Sequence, residues 1–291
     1  MNPLRKFVIF ISLISISGLT GIGMIRAGWF RSQPSSMTQE LATGITYHRV
    51  VRIIPRLIVL HVVEITLKNT KLQVLVTPGQ PILHGEIRAK LTSRFLTEYH
   101  QTVAINGSYF YPFREYWSPY PAEGEPVHIL GHAISHHQTY SQPQIDFPAL
   151  YMTDDNQFSS VLPSAHIDHA IAGREWLLKH GQTVLTSEMI AADKPYPRTA
   201  IAFDATQQRL WLIVVDGKQP NYSDGIYLQE LADYLSQLGA DTALCLDGGG
   251  SSTLVIADVH GQARILNSPI HQGWAGRERP VANHFGVQII D

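Results

Sequence analysis

The sequence has almost no cysteine, and this absence limits what the chain can be. A single cysteine, Cys245, excludes an internal disulfide, so the cysteine content gives no information about the cellular compartment. Cys245 lies within the largely apolar run Thr242–Leu246, and such surroundings bury a sulfur and raise the pKa of a thiol. We therefore interpret Cys245 as a core residue and not as a nucleophile.

Long runs of one charge are also missing. The chain has 22 basic and 24 acidic residues, a formal net charge of -2, and hence no pattern that favours nucleic acid or an anionic membrane surface as a partner. Neither a P-loop Lys-Ser/Thr nor a G-x-G-x-x-G turn after a strand occurs, and no internal repeat is evident. An apolar content of 44% over 291 residues predicts a globular chain with a sizeable core.

The N-terminus has the pattern of an export signal or a membrane anchor. Arg5 and Lys6 precede an uncharged run from Phe7 to Ile25, which is about long enough to span a bilayer. No small-x-small cleavage site and no lipidation cysteine follow, which favours an uncleaved anchor. We predict that residues 1–30 are a signal or anchor segment and that the rest of the chain is extracytoplasmic, either secreted, periplasmic or membrane-anchored.

The remaining chain reads as a short linker followed by one domain. Residues 31–43 are polar and typical of a linker, so the folded domain is expected over 44–291. Apolar alternation and β-branched runs predict strands at Thr46–Ile54, Ile58–Leu67, Lys71–Val76, Thr102–Ile105, Val127–Ile134, Ala149–Thr153, His169–Ala172, Thr199–Asp204, Arg209–Val215, Thr242–Leu246, Thr253–Ala257 and His284–Ile290. Helices are predicted at Leu91–Tyr99, capped by Thr92, and at Ile226–Leu238, ended by Gly239. The fold class is therefore α+β, a single domain with a large mixed β-sheet core and few helices.

Several predicted strands end abruptly in small or polar residues. These segments are Val103–Phe110, Pro197–Asp204, Val214–Gly217, Ala240–Leu254 and Glu278–Val287. Together and in this order they resemble the phosphodiester glycosidase family, from about Ala104 to the C-terminus, with Ile171-Ala172-Gly173-Arg174 also in register. The run Leu246–Thr253, followed by Arg279-Pro280-x-x-Asn283, is the most specific part. The resemblance implies a hydrolase that cleaves sugar-1-phosphodiester bonds in an envelope or extracellular glycoconjugate, and we expect no cofactor.

Asp247 is the first candidate for the chemistry because it follows a mostly apolar strand. Glycines after it can adopt positive φ and turn their N–H groups inward, which would form an anion-binding nest supplemented by serine hydroxyls. The residues of this predicted phosphate site are Gly248, Gly249, Gly250, Ser251 and Ser252. The simpler alternative is a tight turn between strands that Asp247 caps.

Two arginines at loop–strand junctions, Arg198 and Arg279, are candidates for phosphate binding because a guanidinium can contact two phosphate oxygens at once. The alternative is that each pairs with a carboxylate as scaffolding. Asp216 ends an apolar strand and is the second candidate carboxylate, either a general base or a turn former. Glu278 is the third candidate.

Amides and aromatic rings complete the predicted site. Asn106 and Asn283 are candidates to hydrogen-bond sugar hydroxyls or an N-acetyl group, although Asn106-Gly107 is also an ordinary turn pair. Tyr109, Phe110 and Trp117 are candidates to stack on a sugar ring, or else to pack their proline-rich loop.

The leaving group of the implied reaction is a phosphate monoester, a stable anion that needs little protonation. The hypothesis is that Asp247 or Asp216 stabilises an oxocarbenium-like centre and activates water, while Arg198 and Arg279 hold the phosphate. Two alternatives stay open: a non-catalytic protein that binds polysaccharide or cell wall through the same pocket, and hydrolysis by attack at phosphorus. Two carboxylates with two arginines favour catalysis, since sugar binding alone rarely requires them.

Histidine is abundant, with 14 residues, and several are clustered. His128, His132 and His136 would share one face of a strand, and His166-x-x-His169 forms a second pair. This spacing matches no standard zinc template, so we interpret the histidines as a polar sheet face and predict no metal.

Overall fold

The structure of the protein is a computed structural model that describes residues 31–68, 71–80, 82, 85–112, 119–164 and 166–290. The uncharged segment Phe7–Ile25 and the candidate Trp117 lie outside these residues. Among the helices of the described residues, none is long and apolar enough to cross a membrane.

The described residues form mainly β-strands. The strands are β1 (Met37–Ala42), β2 (Ile45–Arg52), β3 (Ile58–Thr66), β4 (Leu72–Val76), β5 (Ile87–Arg88), β6 (Val103–Asn106), β7 (Phe110–Tyr111), β8 (Pro126–Ile129), β9 (Ala133–Ser135), β10 (Gln138–Ser141), β11 (Ala149–Thr153), β12 (Phe158–Ser159), β13 (Ile167–Ala172), β14 (Glu175–Lys179), β15 (Gln182–Thr183), β16 (Arg198–Phe203), β17 (Arg209–Val215), β18 (Thr242–Cys245), β19 (Leu254–Ala257), β20 (Ala263–Ile265), β21 (Ile270–His271), β22 (Trp274–Ala275) and β23 (His284–Ile289). The helices are α1 (Thr92–Glu98), α2 (Ser187–Ala192) and α3 (Leu228–Leu238), and a 3₁₀ turn covers Gly249–Ser251.

Three sheets make up most of the fold. An eight-stranded sheet has the order β1-β2-β3-β17-β16-β18-β14-β15, and two five-stranded sheets have the orders β20-β19-β6-β23-β4 and β10-β9-β13-β11-β12. The predicted α+β class, with an extensive sheet core and few helices, is confirmed. The pairs between named strands are antiparallel throughout the described residues, so the expected mixture of strand directions is not seen there.

The main core lies between the eight-stranded sheet and the sheet that contains β6 and β23. Alternation along β17 explains this layering, because successive side chains of a strand point to opposite faces. Leu212 and Val214 pack into the core between the sheets, whereas Trp211 and Ile213 face the other side. Both faces of β17 are therefore buried, which accounts for its unbroken apolar sequence.

Helix α3 covers the outer face of the eight-stranded sheet. Its buried residues Leu228, Leu231, Ala232 and Leu235 follow helical spacing and pack on that face. The helix ends where predicted, because Gly239 adopts the left-handed conformation (φ 90°) and its N–H donates to the carbonyl of Ser236. Helix α1 covers the opposite side of the molecule, where Phe95 and Leu96 pack against the second sheet.

Three local predictions were wrong, and one helix was missed. Met37–Ala42, expected to be part of a linker, is instead an edge strand paired with β2. The strand expected at 127–134 is interrupted by Gly131, whose φ of 95° separates β8 from β9. Thr92 is not the cap of α1, because Leu91 occupies that position and makes no side-chain cap. Ser187–Ala192 forms a helix that the sequence pattern did not predict.

Replacing Gly239 by Ala tests the C-terminal cap of α3. An Ala side chain is strained at positive φ, so we expect the free energy of unfolding to fall by about 1 kcal/mol. Urea denaturation of the variant and of the exposed helix substitution Gln237→Ala measures the difference. An unchanged midpoint in Gly239→Ala would contradict the cap assignment.

Candidate active site

Asp247 lies between the eight-stranded sheet and the five-stranded sheet that contains β6. It follows β18, which is central in the eight-stranded sheet, and its side chain is buried. Its backbone is held from the other sheet at the end of β6: the N–H donates to the carbonyl of Gly107 (3.0 Å), and Nδ2 of Asn106 donates to the carbonyl of Asp247 (2.7 Å). Two strand ends that are distant in the sequence thus fix the position of one carboxylate.

Asn106 and Asn283 make hydrogen bonds within this framework. Oδ1 of Asn106 accepts hydrogen bonds from Oγ1 of Thr199 (2.8 Å) and from the N–H of Thr253 (3.1 Å). Oδ1 of Asn283 accepts one from the N–H of Ser108 (2.7 Å). Both asparagines are fully buried and these contacts use their amide oxygens, which favours a structural role over the predicted contact with a sugar.

The glycines have a different role from the one expected. Gly249 has the predicted positive φ (66°), but its N–H donates to the carbonyl of Pro197 (2.9 Å). The N–H groups of Ser251 and Ser252 donate to Gly248 and Gly249 within the 3₁₀ turn, so three of the N–H groups of the expected phosphate nest are already used.

Glycine is required here because other side chains approach closely. A Cβ on Gly249 would lie 2.9 Å from Cε1 of Tyr196, one on Gly248 would lie 2.7 Å from the carbonyl of Pro197, and one on Gly250 would overlap Nη2 of Arg279. The glycines therefore let a tyrosine and an arginine reach the edge of Asp247.

Arg279 is buried and is held by several neighbours. Its Nη1 donates to Oγ of Ser251 (3.2 Å), and its Nε donates to Nδ1 of His271 (3.4 Å). Its guanidinium carbon lies 3.7 Å from the centre of the Tyr120 ring. Burial, the charge of Arg279 and that of Arg277 lower the pKa of His271 to about 4, so the ring is neutral at pH 7 and can accept this hydrogen bond.

Opposing effects act on the pKa of the Asp247 carboxylate. Burial raises its pKa to about 6, while a hydrogen bond from Ser251, the charge of Arg279 and the N–H of Gly248 act in the opposite direction. Burial is the larger effect. Asp247 is consequently ionised at pH 7 but close to its protonation midpoint, as expected for a group that exchanges protons during a reaction.

Buried polar atoms without a hydrogen-bond partner gather around this carboxylate. In the described residues these atoms include Oδ2 of Asp247, Nε of Arg198, Oγ of Ser252 and Oγ1 of Thr253. Buried polar groups in folded proteins are nearly always satisfied, so such a concentration marks a place where a ligand or water completes the bonding.

Arg198 lies on β16, the strand next to β18, and combines both roles that were considered. Its Nη2 pairs with Asp193, which is scaffolding, whereas its Nε is one of the unsatisfied atoms. Its charge also acts on Glu175, a buried carboxylate whose pKa is raised, mainly by burial. Burial raises the pKa of Tyr109, the charges of Asp247 and Glu175 raise it further, and the charge of Arg198 lowers it, so these four side chains form one cluster of interacting groups.

Asp216 is placed as a structural residue. Its Oδ1 accepts from the N–H of Ser268 (2.8 Å) and from Nδ2 of Asn267 (3.0 Å). Its Oδ2 accepts from Nε2 of His61 (2.9 Å) and from the hydroxyl of Tyr222 (3.4 Å). With four donors and full burial, this carboxylate has no free lone pair directed at a substrate.

Glu278 also has a structural partner. Its Oε1 accepts a hydrogen bond from the N–H of Ser93 (3.0 Å) at the start of α1, so this carboxylate replaces the missing cap of that helix. Burial raises its pKa. Its side chain also lines a cavity of about 530 Å³ beside Arg279. The lining residues are Leu91, Pro121, Ala122, Glu123, Ile265, His271, Gln272, Gly276, Arg277, Glu278 and Pro280.

Sequence reasoning missed several residues of this site. Glu175 directly follows the segment Ile171–Arg174, which is in register with the family. Its position before the apolar residues of β14 was the sequence signal that could have identified it. Tyr196 precedes Arg198 by two residues, and Nζ of Lys218 lies 3.8 Å from the centre of its ring and 2.6 Å from its hydroxyl. Nothing in the sequence pattern indicated Tyr120 or His271.

Comparison with known proteins assigns the family. The sequence profile of the phosphodiester glycosidases matches residues 99–288. The chain therefore belongs to the phosphodiester glycosidase family, which confirms the resemblance seen in the strand-end segments. No match is found among curated protein sequences.

Solved structures with the same fold include three informative relatives. The catalytic domain of zebrafish N-acetylglucosamine-1-phosphodiester alpha-N-acetylglucosaminidase, auto-inhibited by its pro-peptide, has a TM-score of 0.63 at 21% identity, covering 89% of this chain and 85% of that one. A hypothetical protein from Synechocystis has a TM-score of 0.58 at 16% identity and 89% coverage of this chain, which spans only 64% of that protein. A Burkholderia pseudomallei protein described as exported has a TM-score of 0.54 at 12% identity, covering 80% and 74% of the two chains.

Replacing Asp216 by Asn tests its structural assignment. The side-chain NH₂ of the asparagine would face groups that already donate hydrogen bonds to Asp216. We therefore expect the free energy of unfolding to fall by about 3 kcal/mol. Hydrolysis by the folded variant should stay within about tenfold of the native rate, far from the loss caused by removing a catalytic base. Denaturation and single-turnover assays, with exposed Asp146→Asn as control, measure both; a thousandfold slower folded variant would restore Asp216 as a base.

Proposed function

We propose that the protein hydrolyses sugar-1-phosphodiester bonds, with Asp247 as the catalytic carboxylate and Arg279 as the principal phosphate-binding residue. The observation that carries this proposal is the buried carboxylate of Asp247, whose Oδ2 has no hydrogen-bond partner in the described residues although Arg279 lies beside it. Membership of the phosphodiester glycosidase family supports the same reaction class.

Phosphate binding follows from the arrangement of the cations. Arg279 is fixed by Ser251, His271 and the Tyr120 ring, so its guanidinium is oriented before the substrate arrives. Lys218 is exposed above Tyr196 and adds a second positive charge at the same edge. A phosphodiester is a single anion with two free oxygens, and a fixed guanidinium can contact both.

The sugar would lie against aromatic rings. Tyr120 and Tyr196 border the glycine turn, and Tyr109 stands close enough to Asp247 for the carboxylate to affect its hydroxyl. Aromatic rings offer apolar faces for a sugar ring and hydroxyls for its polar edge. The neighbouring 530 Å³ cavity is large enough for the second substituent of the phosphate.

In the proposed reaction the bond between the anomeric carbon and the phosphate oxygen breaks. The phosphate monoester leaves with the bonding electrons, stabilised by Arg279, and develops no basic alkoxide that requires strong acid catalysis. A water oxygen bonds to the anomeric carbon, and its proton passes to a carboxylate. Asp247 stabilises the positive charge on the sugar or accepts this proton, and Glu175 is the second carboxylate of the same cluster.

We further propose an extracytoplasmic location and an envelope or extracellular polysaccharide as the substrate class. The basic residues before the uncharged run Phe7–Ile25 are typical of export, and one structural relative is described as exported. Anchoring through that run, if it is uncleaved, would keep the enzyme at the membrane surface.

The variant Asp247→Asn tests the proposed reaction most directly. Incubation of the full chain with a sugar-1-phosphodiester should release free sugar, and the variant should be at least a thousandfold slower because the carboxylate is lost. Arg279→Lys keeps the positive charge but loses the guanidinium group that can donate two hydrogen bonds to one phosphate. We expect this variant to be about a hundredfold slower.

Mass spectrometry of the released sugar measures both rates. Hydrolysis in ¹⁸O-labelled water should place the label on the sugar; label on the phosphate would mean attack at phosphorus. Tight binding without release of sugar would instead favour the polysaccharide-binding alternative. An active Asp247→Asn variant would rule out Asp247 as the catalytic carboxylate.

The pKa of Asp247 predicts how pH affects rate and stability in opposite directions. The rate should fall as pH drops through about 6, because the carboxylate becomes protonated. The folded protein holds this proton more tightly than the unfolded chain, so the contribution to stability is complete below about pH 3.8 and is lost as pH rises through about 6.

Asp247→Asn should therefore be more stable than the native protein at pH 7, by about 3 kcal/mol. Denaturation at pH 4 and pH 7 measures this difference, which should nearly vanish at pH 4. Equal stability of the two proteins at both pH values would show that the burial of Asp247 carries no energetic cost.

A further inference from the structure

A second group of reactive side chains lies apart from Asp247, around Asp168 on β13. His136 and His137 form the tight turn between β9 and β10, and both have positive φ (47° and 63°). The turn is held against β13, because the N–H of His137 donates to the carbonyl of Asp168 (3.0 Å). We call His136, His137, Asp154, Asp168 and His169 the His/Asp cluster.

The predicted polar sheet face does not exist in the expected form. His128 lies on β8 and stacks on Tyr111, His132 contacts Tyr151, and His136 is in a turn, so the three do not share one strand. Spacing along the chain missed the cluster because its members come from the β9–β10 turn, from β13 and from the end of β11.

Ligand atoms converge on the two oxygens of Asp168. Nδ1 of His136 lies 3.8 Å from Oδ1, and Nε2 of His169 lies 3.3 Å from Oδ2. The three ligand atoms of this group lie within 4.8 Å of one another. Nε2 of His137 lies 3.9 Å from Oδ1 and 3.4 Å from the carboxylate of Asp154, forming an adjacent group that shares Asp168.

His169 supplies an independent indication of a missing partner. It is only 1% exposed, yet neither ring nitrogen makes a hydrogen bond of good geometry in the described residues. The backbone of Val74 and Oδ2 of Asp168 lie nearby without satisfying it. An imidazole that is buried without a partner costs free energy, and its Nε2 points at the same carboxylate that faces His136.

His137 points to a cation as well. Its Nδ1 hydrogen-bonds the carbonyl of Ile167 (3.1 Å), and because a carbonyl only accepts, Nδ1 carries the proton. The other ring nitrogen, Nε2, lies 3.4 Å from Oδ1 of Asp154 and 3.9 Å from Oδ1 of Asp168. This leaves Nε2 as the nitrogen that faces the two carboxylates, and a hydrogen bond from Nδ1 to a carbonyl is the arrangement that metal-binding histidines commonly have.

We propose that His136, Asp168 and His169 bind a divalent transition-metal ion, with Zn²⁺ as the best match to two imidazole nitrogens and a carboxylate oxygen. Zinc bonds to these atoms measure about 2.0–2.2 Å, so small rotations of the three side chains bring them into range. His136 is about half exposed and gives the ion access to solvent, where water completes the coordination. Asp154 and His137 add charge and a neighbouring ligand.

The ion would act on stability, independently of the proposed hydrolysis. It joins the β9–β10 turn to one end of β13, and at the other end the N–H of Ala172 donates to Oγ of Ser108 beside Asn283. The two ends are about 13 Å apart along the strand, so the ion would lie well away from the carboxylate of Asp247.

The test is a titration of the full chain, stripped of metal at pH 7.5, with ZnCl₂ alone. We expect about one ion per chain by calorimetry and elemental analysis, and a rise in Tm of about 5 °C when zinc exceeds its Kd a hundredfold. His136→Asn is the diagnostic variant because Asn tolerates positive φ and preserves the turn. It should weaken zinc binding by at least about tenfold, as should Asp168→Asn.

His100→Asn is the matched control, since His100 is exposed and has a similar φ of 52° outside the cluster. It should bind zinc as the native chain does. Absence of binding, or binding that is unchanged in both His136→Asn and Asp168→Asn, would overturn the proposal. Because every readout is binding or stability, failure here leaves the hydrolysis proposal untouched, and an inactive enzyme leaves this one untouched.

Discussion

The burial of one ionisable carboxylate, Asp247, at the junction of two sheets is the constraint on which the site depends. Removing a carboxylate from water is costly, and the pKa of about 6 expresses that cost. Two kinds of contact offset part of this cost. Residues at the end of β6 hydrogen-bond the backbone of Asp247, and Arg279 and Ser251 lie beside its side chain. The residue that we propose as the catalytic carboxylate therefore also carries a cost in folding free energy.

Polar residues around this point divide into two groups by their hydrogen bonding. Asn106, Asn283 and Asp216 have their hydrogen bonds inside the protein and are buried, so they stabilise the convergence of strands. Asp247 and Arg198 each have one buried polar atom without a hydrogen-bond partner in the described residues, and these are the atoms that we propose to contact substrate. The His/Asp cluster shows the same contrast, because the two ring nitrogens of the buried His169 lack hydrogen-bond partners in the described residues.

Much of the fold was predictable because local rules govern it. An unbroken apolar run placed β17, and Gly239 ended α3 through its left-handed conformation. Predictions failed where a distant segment decides the structure: β1 forms because β2 is available to pair with it, and α1 begins at Thr92, where Glu278, distant in the sequence, caps the first turn. Such partners leave no periodic signal near the residue that they affect.

The sequence by itself determined the family, the α+β class and the importance of the run around Asp247, because an apolar strand followed by an acid and three glycines is a local pattern. Only the tertiary structure separated the polar residue that we propose for catalysis from those whose hydrogen bonds are made inside the protein. Asp216 and Asp247 look alike in the sequence, since each ends an apolar strand before glycine. They differ because four donors from other segments surround Asp216, whereas Oδ2 of Asp247 meets none in the described residues. Hydrogen-bond satisfaction depends on neighbours in space, and no spacing along the chain encodes it.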